Sequence, residues 1–154
     1  MNEKRTSTEN LHCALKHAYV LPISFLEIVQ KAEYIYDITK DENVKQYINS
    51  LYKIKDEVEK IIQILEQIYY CNEKITFEDL TKIKKNIRVL RNKIEKETKN
   101  FISITNKINL EDEELVENAF FDDFRILMSN LIHLEIHLFY VNINGENDES
   151  NRNE

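Results

Sequence analysis

The side chains able to bind metal or shuttle protons are few and unevenly placed. The four histidines and two cysteines are His12, Cys13 and His17 near the start, Cys71 mid-chain, and His133 and His137 near the end. His133 and His137 are four residues apart, so on a helix they share a face and could hold one transition metal through two imidazoles. Neutral imidazole and thiolate suit zinc or iron. His133 and His137, joined by His17 or Cys71, are therefore the candidate metal site. Otherwise no cofactor is expected. There is no Cys-x-x-Cys pair, nucleophile elbow or Gly-rich phosphate loop, and the single glycine, Gly145, leaves little means of close backbone approach to a phosphate. No catalytic set emerges, and an enzyme is not the leading expectation.

Apolar residues at helical spacing cover most of the chain, which has only one Gly and one Pro. Sheets need tight turns with positive φ, which glycine supplies. The pattern predicts an all-α fold. The first seam is Leu11, Leu15, Ala18, Phe25, Val29, Ala32 and Tyr36. Pro22 occupies one of its slots, removes a backbone bond to Ala18 and should kink or split the helix near Leu21. Thr6 with Glu9 has capping-box spacing. Asp41 and Thr76 fit N-caps for the next two helices. Their seams are Val44, Ile48, Leu51, Ile54, Val58, Ile61, Leu65 and Ile68, then Leu80, Ile83, Ile87, Leu90, Ile94, Phe101, Ile104 and Ile108. The fourth helix is expected from about Asn109, with an acidic first turn and the seam Val116, Phe120, Phe124, Leu127, Leu131, Leu134, Leu138 and Val141.

Short connections make neighbouring helices antiparallel. The expected architecture is an antiparallel up-down-up-down four-helix bundle with a kinked or split first helix at Pro22. It divides into a flexible N-terminus (1–6), a single bundle domain (7–143) and a disordered acidic tail (144–154). This arrangement puts all four His and both Cys at one pole. Most of them also lie at flanking positions of the bundle, where a solvated polar stripe is the stronger explanation.

The end of the fourth helix is more apolar than one seam requires. Ile126, Met128, Ile132, Ile136 and Phe139 extend its apolar surface beyond the roughly 100° stripe a peripheral helix buries. Either residues 7–20 wrap over this surface, or it is an interface for a protein partner or a second copy. The third helix is basic, with Lys82, Lys84, Lys85, Arg88, Arg91, Lys93, Lys96 and Lys99. Nucleic-acid binding through Arg88 and Arg91 is one reading, and charge pairing with neighbouring acidic helices is another. Glu97 falls in a seam slot and is expected to pair with Arg125.

Arg5 and His12, separated by six residues, resemble the Arg-x4–6-His motif of the HEPN helical ribonucleases, which implies RNA cleavage by those two side chains. That family carries the motif on a late helix. Here the late pair, Arg125 and His133, has seven residues between, one too many. Glu113-Glu114-Leu115-Val116-Glu117 resembles the first half of the motif of MazG-type pyrophosphohydrolases. The Glu-x-x-Asp second half is absent, so a magnesium cage would be incomplete. Each resemblance covers a few residues.

The net charge of −7 disfavours non-specific binding to nucleic acid or anionic membranes. No apolar run is long enough to cross a bilayer, no signal-peptide pattern is present, and two scattered cysteines suit a reducing compartment. A small cytoplasmic interaction protein is expected: an inhibitor, an immunity or accessory factor, or an assembly subunit. The alternatives are a metal-dependent or HEPN-like enzyme using the His-rich pole, and an RNA-binding bundle.

Overall fold

The computed structural model describes residues 6–71, 76–105 and 113–141. They form four helices, α1 (Ser7–Thr39), α2 (Glu42–Cys71), α3 (Phe77–Thr105) and α4 (Glu113–Phe139), and no strand occurs among the described residues. None of these helices is long and apolar enough to cross a membrane.

Local chemistry sets the helix ends. The Thr6 hydroxyl accepts from Glu9 N–H at 3.1 Å, satisfying a donor that the first turn leaves without a partner. Asp41 Oδ1 accepts from Asn43 N–H at 2.8 Å and the Thr76 hydroxyl from Asp79 N–H at 3.1 Å, so all three expected caps form. α1 ends on Lys40 with φ 53°, whose N–H donates to Tyr36 O. This left-handed position is the usual place of a glycine. α1 is continuous through Pro22, so the expected division near Leu21 does not occur. Ala18, Leu21, Ser24 and Phe25 are all buried around the proline, and their packing holds the turn despite the missing N–H.

α1 packs against α2 and α4, and α3 also packs against α2 and α4; among the described residues no close backbone approach joins α1 to α3 or α2 to α4. In each touching pair, early residues of one helix meet late residues of the other. Tyr19 donates to Glu66, and Tyr52 donates to Glu33. Tyr47 stacks on Phe101, Lys31 pairs with Asp123, and Arg88 with Glu135. α1 approaches its neighbours most closely. Its buried face includes Ala14, Ala18, Ser24 and Ala32, whereas α3 offers Leu80, Ile83, Ile87, Leu90, Ile94 and Phe101. Small contact residues bring helix axes together, and large ones hold them apart.

The seams are buried as expected, apart from Tyr36, Ile68, Ile104 and Phe124, which are partly buried at the edge of the core. Thr98, not Glu97, fills the polar slot of α3: Thr98 is buried, and its hydroxyl lies 2.9 Å from Tyr47 Oη. Glu97 accepts from Ser50 Oγ at 3.1 Å, and Arg125 pairs with Asp122 on its own helix, so the expected Glu97–Arg125 pair does not form. The start of the fourth helix near Asn109, the side chains of Ile108, Val116 and Phe120, and the tail from 144 onward lie outside the described residues.

Candidate functional site

One end of the α1–α4 contact gathers three of the four histidines. The His17 ring stacks on His133 at 4.9 Å between centroids and on His137 at 5.5 Å, with 14° between planes in both cases. The α4 spacing supplies His133 and His137 from one face, and α1 brings His17 against them.

Hydrogen bonding fixes how the rings are turned. Asn130 Nδ2 donates to Ile126 O, leaving Asn130 Oδ1 as the atom 2.9 Å from His17 Nδ1. Asn10 Nδ2 donates to Thr6 O, leaving its Oδ1 3.3 Å from His137 Nδ1. His133 Nδ1 lies 2.7 Å from Ser129 O. Each Nδ1 faces an oxygen acceptor, so each carries the hydrogen and donates it. This is the tautomer in which Nε2 holds the lone pair of the neutral ring. Asn10 is buried although polar, because it spans the gap between the start of α1 and the end of α4.

The remaining pole residues go elsewhere. His12 stacks on Tyr69 of α2 at 5.5 Å, on the opposite flank of α1. Cys71 is exposed at the end of α2, a helix whose backbone makes no close approach to that of α4 among the described residues. Of the two suggested companions for His133 and His137, the structure therefore brings His17 to them and leaves Cys71 apart. Among the described residues no group of three or more His, Cys, Asp or Glu side chains is arranged to hold a metal ion. Stacked rings have a simple reason for this: their in-plane lone pairs run side by side and do not converge, so a shared cation requires at least one ring to turn.

No protein-family model, no curated protein and no solved structure matches this chain.

Beyond the histidines, α4 carries an exposed apolar face. Ile132, Ile136 and Phe139 are 38%, 47% and 69% exposed, and their i, i+4, i+7 spacing places them in one row. The five suggested interface residues do not share a surface. Met128 packs against the core. Ile126, 49% exposed, lies on the edge that carries Asn130, His133 and His137, beside an open hollow lined with Asp122, Arg125, Ser129 and Asn130. α1 residues Asn10 and His17 cover only that edge, so the start of α1 leaves the outer row open.

On α3, Arg88 Nε and an Arg91 terminal nitrogen reach the two oxygens of Glu135 at 3.1 and 3.3 Å. Lys84 Nζ sits 5.4 Å from the centre of the Phe139 ring, within reach of a cation–π contact. Burial holds the Lys84 ammonium below the ordinary lysine range. The helical wheel alone suggests the apolar row, but the parallel cation row of α3 emerges only once the two helices are paired.

Proposed function

We propose that this chain is a small intracellular interaction protein. Its four helices run as an antiparallel up-down-up-down bundle, α1 bends at Pro22 without breaking, and the outer face of α4 docks on a protein partner. The carrying observation is the row of Ile132, Ile136 and Phe139, which stays exposed on the described chain. Contiguous exposed apolar surface of this kind marks interaction sites. Inhibitors, immunity or accessory factors and assembly subunits work in this way. The test compares the native chain with Ile136→Asp as bait in extract of its own host. A partner retained by the native chain should be lost from the variant, with helicity by circular dichroism unchanged. Equal retention of every partner by both chains overturns the reading. Light scattering of the purified protein separates a homodimer from a monomer awaiting a different protein.

The gathering of His17 with His133 and His137 favours a second reading, capture of zinc or iron at the His-rich pole. Turning one ring out of the stack would give up its present Nδ1–H bond and let its Nε2 lone pair converge with that of a neighbour whose Nδ1–H stays on its oxygen acceptor, an arrangement that supports metal-bound imidazole. Equilibrium dialysis against zinc with elemental analysis should give one ion per chain, abolished by His133→Ala with His137→Ala. No retained zinc sinks it. RNA binding through Arg88 and Arg91 is the weaker reading, since Glu135 offsets part of their charge and the row beside them on α4 is apolar.

A further inference from the structure

We propose that the partner presents an acidic amphipathic helix, laid along the edge where α3 meets α4. This rests on the reading of α4 as a docking surface and adds the chemistry of what docks.

Two rows of side chains run together along this edge. On α4 they are Ile132, Ile136 and Phe139; on α3 they are Lys84, Arg88 and Arg91, with the same i, i+4, i+7 spacing. Lys84 lies against Phe139, and Arg88 and Arg91 hold Glu135, so the rows lie side by side. Each spans about 10 Å, roughly two helical turns. A helix docking in a groove offers apolar anchors at this repeat.

Charge identifies the flank of that helix. Three cations face one carboxylate. Glu95, on the same side of α3, is engaged by Lys99, and among the described residues no carboxylate pairs with Lys84. The Arg88 side chain remains 68% exposed. Asp or Glu on the partner would meet this surplus, and a basic helix would be repelled. A second copy docking through the same face would bring a second cation row into the contact and no surplus of carboxylates to meet it, because a two-fold contact uses one surface twice. The charge therefore selects a different, acidic molecule.

The experiment uses the full chain and labelled helical peptides of about 18 residues, followed by fluorescence anisotropy. One peptide carries leucines at i, i+4 and i+7 with glutamates along one flank. A second has lysines in place of the glutamates. The acidic peptide should bind at least about tenfold more tightly, and more weakly as salt rises. Lys84→Glu with Arg88→Glu, both outside the core, should reverse the preference. Equal binding of the two peptides, or an acidic peptide indifferent to the charge reversal, overturns the proposal. If both bind equally and Ile136→Asp abolishes both, the docking face survives and only its acidic selectivity fails. If neither binds, or Ile136→Asp changes nothing, the docking reading fails as well. A dimer in sedimentation that Ile136→Asp dissociates would assign the face to a second copy and overturn the acidic partner.

Discussion

Tyr47 and Thr98 meet in the core at 2.9 Å, beside the Phe101 ring that stacks on Tyr47 at 4.5 Å. Each hydroxyl serves the other, so two polar groups are buried without loss. Tyr47→Phe or Thr98→Val alone leaves one hydroxyl without its partner and should cost about 1 kcal/mol, read by urea unfolding. The double variant should cost less than the sum of the two. Strict additivity would show that the hydroxyls do not interact. Burial, aided by the nearby Glu97 charge and opposed by the Thr98 bond, raises the Tyr47 phenol above its ordinary 10.0. The folded state therefore keeps a proton that the unfolded chain releases. Its stabilising contribution is complete below pH 10 and is lost as pH rises from there toward the raised value. Tyr47→Phe should flatten that alkaline decline. The same site marks a limit of reading by period. From Ile94 a step of three leads to Glu97 and a step of four to Thr98. Both are helical, and only the Tyr47 hydroxyl arriving from α2 decides between them.

Seams and caps were legible because they depend on neighbours within one helix. Thr6, Asp41 and Thr76 cap as their residue types and spacing require, and nearly every seam residue is buried. Pro22 was expected to kink or split the helix, and the split fails because the rule for an isolated helix was applied to one packed on two sides. α1 spans 33 residues without interruption, held by buried neighbours on both sides of the proline. Pro22→Ala restores an N–H donor and should stabilise the fold by about 2 kcal/mol after allowing for the looser unfolded chain, measured as a rise in the urea midpoint. A fall would mean that α1 needs the bend to seat between α2 and α4.

At the scale of the molecule, the candidate site was half legible. His133 and His137 could be paired from spacing, and the pole argument pointed to His17. The acceptors that turn the rings, Asn10 and Asn130, could not be found, because nothing local links a polar residue on α1 to one 127 positions away. The same holds for the Lys84 row beside Phe139, since two helices must be placed before two stripes become one surface. A chain of net charge −7 nevertheless sets Lys84, Arg88 and Arg91 along one edge, which a charge total does not reveal.

The Asn10–His137 contact has a topological consequence. It ties the beginning of the described chain to its end, so the four rods close into a ring whose seam is a hydrogen bond instead of a peptide. Closing so long a loop costs entropy that rises only with the logarithm of its length. A sequence stitched across that seam and opened at one of the other corners would be a different polymer with the same set of neighbours.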